Sequence, residues 1–169
     1  HAEQEMVNTV KQNFARVIVV MNVGGMVDTS WFHDDAQIQS VLMAWQGGME
    51  GGLATAELLA GEGNPSGKLS DTFARELNDY PSTYNFHESE KYVEYTDDIY
   101  VGYRYFETIP GAKEKVNYPF GFGLSYTQFT LGESQISIEG DQIRCMVSVT
   151  NTGAMAGKEV VQAYYSAPQ

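Results

Sequence analysis

Residues 45–52, Trp45-Gln46-Gly47-Gly48-Met49-Glu50-Gly51-Gly52, set two glycine pairs around a Met-Glu step. An apolar run, Val41-Leu42-Met43-Ala44-Trp45, leads into them. Behind them, Leu53, Ala56 and Ala60 recur at helical spacing and Gly61 follows as a stop. The pattern predicts a strand over 41–45, a tight turn, and a helix over 50–60. In an α/β protein such a turn brings backbone close to a ligand or to another element, because glycine has no Cβ and accepts either sign of φ. A second segment, Asn64-Pro65-Ser66-Gly67-Lys68-Leu69-Ser70-Asp71-Thr72-Phe73, predicts a turn and then a strand over 68–73.

The residues before this centre extend the same layer. Met6, Val7, Val10 and Phe14 repeat at helical spacing, which predicts an amphipathic helix. Residues 16–23 then form a β-branched run, closed by Gly24-Gly25. Continuous apolarity predicts a parallel strand buried on both faces. Asp34-Asp35-Ala36-Gln37-Ile38 reads as a short polar connection or helix. Helix, strand, helix, strand, helix, strand is an α/β layer with parallel pairing. Three strands make a small sheet, so the layer reads as part of a larger one.

The texture changes after residue 74. Residues 74–91 are irregular and polar, a long loop of the kind that covers a neighbour or carries function. Residues 99–106 are aromatic and read as strand or extended chain. After about residue 127, segments 129–131, 135–138, 142–150 and 159–166 read as short strands, with Glu139-Gly140-Asp141 and Asn151-Thr152-Gly153 as turns. This is an antiparallel pattern, the front of a β-sandwich. About four strands are present where a sandwich of this kind has roughly seven. With the start His1-Ala2-Glu3-Gln4, which has neither an initiator Met nor a signal-peptide layout, the chain reads as a fragment. There is no internal repeat and no low-complexity tract.

Composition narrows the partners. With 43% hydrophobic residues the chain can build a core, and disorder would need fewer. The formal net charge of -12 disfavours nucleic acid and anionic membrane surfaces. No apolar run reaches the length of about 18 residues that a spanning helix needs. One cysteine, Cys145, rules out an intramolecular disulfide and a cysteine-built zinc site. Its place in the alternating run 143–147 makes it a small buried hydrophobe. It leaves the compartment open.

Candidate chemistry is sparse. Glu50 at a helix start is read as a carboxylate favoured by the helix dipole rather than as an acid/base group. Residues 61–68, Gly61-Glu62-Gly63-Asn64-Pro65-Ser66-Gly67-Lys68, resemble a phosphate loop only loosely. In a true one the Gly-Lys pair is followed by Ser or Thr and opens a helix, whereas Leu69 follows here and the chain enters a strand. His33, beside Trp31, Asp34 and Asp35, follows a strand's carboxyl end and is a pocket candidate set against a solvated loop. His87 is isolated, and neither histidine has a partner at metal-ligand spacing. Glu88, Glu90, Glu94, Asp97 and Asp98 read as a solvated acidic face. The residues alone nominate no catalytic, cofactor or metal site.

Six segments together are similar to one family. They are 17–24 (VIVVMNVG), 41–52 (VLMAWQGGMEGG), 64–73 (NPSGKLSDTF), 99–106 (IYVGYRYF), 118–129 (YPFGFGLSYTQF) and 149–164 (VTNTGAMAGKEVVQAY). In that order they resemble the C-terminal part of glycoside hydrolase family 3, the β-glucosidase/β-xylosidase family. The resemblance implies three modules: a TIM-like barrel with an Asp nucleophile, an α/β sandwich that carries the acid/base Glu in many members, and a fibronectin type III-like domain. Residues 1–121 then correspond to the later part of the α/β sandwich. Residues 122–169 correspond to a linker and the N-terminal part of the fibronectin-like domain. The nucleophile motif Ser/Thr-Asp-Trp does not occur, and the acid/base Glu is expected upstream of residue 1. Glu62 stands in the wrong loop for that role, and Glu50 matches a recurrent Glu of a structural turn. The resemblance therefore carries over no catalytic residue, no cofactor and no metal. It implies a parent enzyme that is a retaining exo-β-glycosidase, acting on terminal β-linked sugars of a β-glycoside or oligosaccharide. This chain would be its scaffold and a candidate cleft wall, beside a missing N-terminal barrel, with an apolar face that permits self-association. The alternative is a non-catalytic module binding sugar or protein through Tyr100, Tyr103, Tyr105 and Phe120.

Overall fold

The computed structural model describes residues 2–166; His1 and residues 167–169, which the sequence reading used as chain ends, lie outside them. The elements in chain order are α1 (Ala2–Asn13), β1 (Val17–Met21), α2 (Ser30–His33), β2 (Ile38–Met43), α3 (Gly51–Ala60) and β3 (Phe73–Ala74). Two 3-10 turns follow, Leu77–Asp79 and Pro81–Tyr84. Then come α4 (Tyr103–Thr108), a 3-10 turn at Lys113–Lys115, β4 (Val116–Tyr118), β5 (Phe129–Leu131), β6 (Gln135–Glu139), β7 (Gln142–Met146) and β8 (Val149–Asn151). The chain is a mixed α and β structure: helices alternate with short strands as far as β4, and the antiparallel strands β5–β8 follow.

β1 and β2 pair in parallel, with Val19 opposite Val41 and Val20 opposite Leu42. This bears out the parallel pairing read from the β-branched run. Burial on both faces is corrected. Val17 is buried and packs with Phe32 and Ile38, against Val7 and Val10 of α1. Ile18 and Val20 point the other way and are 56% and 41% exposed. A strand's side chains alternate between faces, so one helix covers only every second residue. α1 is held at its C-terminal end by Gln37, whose Nε2 donates to the carbonyls of Lys11 (2.6 Å) and Phe14 (3.1 Å). An ion pair between Lys11 and Asp35 closes the same corner.

The third strand is also corrected. The expected parallel strand over 68–73 forms a ladder only at Phe73–Ala74, and it pairs antiparallel with β4. Side chains take the backbone groups that a longer ladder would use. The Ala74 N–H donates to Tyr80 Oη (2.8 Å), and that hydroxyl donates to the Thr72 carbonyl (2.9 Å). Fully buried Thr29 donates to the Ala74 carbonyl (3.1 Å) and accepts from Asn117 Nδ2 (2.7 Å). A second core forms here from Ala74, Phe106 and Ala112, walled by Tyr80, Tyr105, Ile109 and Val116.

Residues 99–106 also depart from expectation. The chain turns at Gly102, φ +62°, and Tyr103–Thr108 are helical. That turn lets Phe106 reach the second core while Tyr103, half-buried, packs against Phe120. In the later part, β5 pairs with β8 and β6 with β7, both antiparallel, as the alternating pattern predicted. The expected strand over 142–150 is split into β7 and β8. The expected strand over 159–166 has no ladder partner among the described residues and forms no regular element. Cys145 is exposed rather than buried, because nothing described covers its face of the β6–β7 hairpin.

Candidate functional site

Two places gather the residues singled out in the sequence. The first is the carboxyl edge of β1 and β2. The turn of residues 45–50 leaves β2 through Trp45, whose φ of +53° lies in the left-handed region that side chains rarely adopt. The strained backbone turns its ring toward Phe73, 6.2 Å away between centroids. Glu50 is the N-cap residue of α3, but its exposed side chain makes no capping bond, so only its carbonyl serves the helix, accepting from Ala54 N–H (2.9 Å). At the other end of α3, Gly61 is left-handed (φ 78°), and the N–H groups of Glu62 and Gly63 both reach the Glu57 carbonyl. The Gly61-Glu62-Gly63 triplet is thus a helix stop. Glu50 and Glu62 stand at opposite ends of a helix about 15 Å long. Paired glycosidase carboxylates sit within about 5–9.5 Å, so these two do not make a pair.

His33 is exposed. Its Nδ1 lies 3.1 Å from Tyr118 Oη and its Nε2 lies 3.9 Å from Asp34 Oδ1. Burial, with the nearby Asp34 charge, pushes the Tyr118 phenol up, so the hydroxyl stays protonated and able to donate. His87 meets Phe86 edge-on in the exposed loop, 4.3 Å between ring centroids. Among the described residues no three His, Cys, Asp or Glu side chains converge as a metal site. No described helix is long and apolar enough to cross a membrane.

The second place is aromatic. Tyr103 and Phe120 lie 4.9 Å apart between ring centroids, and Tyr164 meets Tyr103 edge-on at 5.8 Å. With Phe106, Thr72 and Glu107 they line a cavity of about 370 Å³, a volume at the lower end of small-molecule sites. The structure thus brings together two of the four aromatics named from sequence. Tyr105 instead packs on Phe106 in the core, and Tyr100 stays on the surface. Tyr164 was missed, because only the irregular run after residue 156 returns it to α4.

Two carboxylates are held low. Hydrogen bonds from Lys11 and from the Gln37 N–H keep Asp35 below the ordinary 3.8. The Val160 N–H and then Lys68 keep Glu159 below 4.5. A depressed folded pKa contributes stability that is complete above the unfolded value and lost as pH falls through the folded one. Denaturant midpoints are therefore expected to be flat near neutrality and to fall below pH 4, with Asp35→Asn and Glu159→Gln together flattening the acid limb. An unchanged limb in the double variant contradicts this.

With this geometry in view, the comparisons define the chain. The model of the glycosyl hydrolase family 3 C-terminal domain matches residues 1–126, and the chain belongs to that family. It is 64% identical to beta-glucosidase A of Butyrivibrio fibrisolvens, an alignment covering all of this chain and 22% of that protein. It is 46% identical to a beta-glucosidase of Ruminococcus albus, over 98% of this chain and 17% of that protein. Among solved structures, a beta-glucosidase from Paenibacillus barengoltzii superposes with a TM-score of 0.80 at 48% identity, covering 89% of this chain and 17% of that one. Beta-glucosidase 3B from Thermotoga neapolitana, in complex with glycerol, gives 0.80 at 38% identity, covering 92% and 22%. The chain spans between a sixth and a quarter of the length of these relatives.

Proposed function

We propose that this chain is a non-catalytic portion of a retaining exo-β-glycosidase of the β-glucosidase type, serving as scaffold and possible cleft wall. The observation that carries the reading is a contrast. Similarity to β-glucosidases runs the length of the chain, yet its two candidate carboxylates stand at opposite ends of α3. Retaining hydrolysis needs a nucleophile and an acid/base group across one bond, forming and then hydrolysing a glycosyl-enzyme. On this reading both lie elsewhere in the parent protein, in a barrel and upstream of residue 1. Residues 1–121 are the later α/β sandwich. Residues 122–169 open a fibronectin type III-like domain, whose remaining strands would cover Ile136, Ile138 and Ile143, all exposed here. Purified, the 169-residue chain is expected to release no phenol from an aryl β-glucoside. Turnover that survives removal of host enzymes, and that Glu50→Gln or Glu62→Gln abolishes, would overturn the proposal.

A second reading rests on the aromatic cavity. Tilted rings 4.9 Å apart beside Thr72 and Glu107 suit the apolar face and hydroxyls of a sugar ring. Titration calorimetry with glucose, xylose and cellobiose separates the two. Heat lost in Tyr103→Ala supports a sugar-binding module, and no heat with any of the three removes it.

A further inference from the structure

We infer that residues 64–68 form a polar clasp, with Asn64 as its hub, that fixes how the β5–β8 sheet is oriented on the α/β part of the chain. The observation is one of convergence. Asn64 Oδ1 accepts from Ser125 Oγ (2.9 Å) and from the Tyr126 N–H (2.9 Å), while its Nδ2 donates to the Ala156 carbonyl (2.9 Å). Residues 125–126 lead into β5, and residue 156 lies just past β8. β5 and β8 are each other's ladder partners. One amide therefore holds both strands of the same two-stranded sheet, at the end where β5 starts and β8 finishes, using donor and acceptor at once.

The rest of the loop repeats the arrangement two and four residues on. Ser66 Oγ accepts from the Lys158 N–H (3.1 Å). Lys68 Nζ donates to the Gly123 carbonyl (2.7 Å) and pairs with Glu159 at 3.1 Å. The Lys68 and Glu159 side chains are only 14% and 20% exposed, so the pair is partly shielded from solvent. Tyr126 adds an anchor to the end of α3, its hydroxyl donating to the Leu58 carbonyl (2.9 Å). Pro65 fixes one φ inside the loop, which lowers the entropy lost in holding this shape. The covalent chain leaves the α/β part near residues 123–127. The return segment of residues 156–164 is held on the α/β part by this loop and by Tyr164 against Tyr103. Phosphate binding is displaced as an explanation, because these side chains are already committed to the chain's own groups. The inference is independent of the glycosidase reading.

The test is a distance distribution between spin labels at Gln12→Cys on α1 and Thr150→Cys on β8, both exposed, in a Cys145→Ser background of the full chain. The unaltered loop is expected to give one narrow distance. Asn64→Ala is expected to broaden the distribution about twofold as the sheet loosens from its support. Asn64→Asp keeps the acceptor, cannot donate to Ala156, and is expected to fall between. Circular dichroism reports whether both parts remain folded. If Asn64→Ala does not fold, the same broadening is expected in Lys68→Met with Glu159→Gln. A width unchanged in a folded Asn64→Ala, or in that double variant, overturns the clasp.

Discussion

Replacing Phe106 with Ala is expected to cost about 3–5 kcal/mol of unfolding free energy, because it deletes the largest side chain of the second core and leaves a cavity its neighbours cannot fill. Phe106 is 2% exposed. Tyr80 meets its ring edge-on at 5.6 Å, and Tyr105 does so at 5.2 Å. Tyr80 cannot simply move in, since its hydroxyl bridges the backbone of Thr72 and Ala74. Closing the cavity would break those two bonds and with them the end of β3. The control is Phe86→Ala in the exposed loop, expected within about 0.5 kcal/mol of the parent. Trp31 and Trp45 both lie in the α/β part, so tryptophan fluorescence during denaturant unfolding reports the affected region. A loss under about 1 kcal/mol for Phe106→Ala would mean that this core is not what holds α4 in place.

That core also marks how far the sequence could be read. α3 was legible because its signals are local: a glycine turn before it and Gly61 after it. The β1–β2 pairing was legible because a β-branched run between helical segments has few other uses. Residues 99–106 were not legible. Their aromatics favour strands, and what makes them helical is the turn at Gly102 and the demand of the second core for Phe106, both tertiary facts. The run over 159–166 and Cys145 failed for one shared reason. Alternation reveals that a face is apolar or that a segment is extended, but only a partner strand or a covering layer makes it a ladder or a core.

The candidate sites divide in the same way. Tyr103 and Phe120 carried a visible aromatic signal, while Tyr164 joins them from 44 and 61 positions away. The loop of residues 64–68 read locally as a turn with a weak likeness to a phosphate cradle. Its partners across the junction lie 55 to 92 positions further along the chain, so no local spacing rule exposes them. The one sequence clue was chemical. Amide, hydroxyl and ammonium at alternate positions form a set of short-range polar hooks, which suits fastening another segment as well as holding a ligand.

The close approach at this junction gives the second large effect. Gly123→Ala is expected to destabilise the chain by about 1–3 kcal/mol, or more, through overpacking. A Cβ at residue 123 would stand 2.4 Å from the Gly67 carbonyl oxygen and 3.3 Å from Lys68 Cα. These are backbone atoms, so no rotamer change relieves the clash. Nor can the two segments slide apart freely, because the Leu69 N–H bonds the Phe122 carbonyl (2.8 Å) and the Gly121 N–H bonds the Leu69 carbonyl (2.7 Å). Relief must break one of these, or withdraw the Gly123 carbonyl from Lys68 and so weaken the clasp. Gly67→Ala is the matched control across the same contact. Its Cβ would meet nothing within 4 Å, and the expected change is within about 0.5 kcal/mol. Denaturant midpoints for the pair measure the difference, and spin-label distances for Gly123→Ala should broaden as they do for Asn64→Ala. Equal midpoints for the two alanine variants would mean that the segments separate at no cost, and that the tight packing of residues 67–69 against 121–123 contributes nothing to holding the sheet.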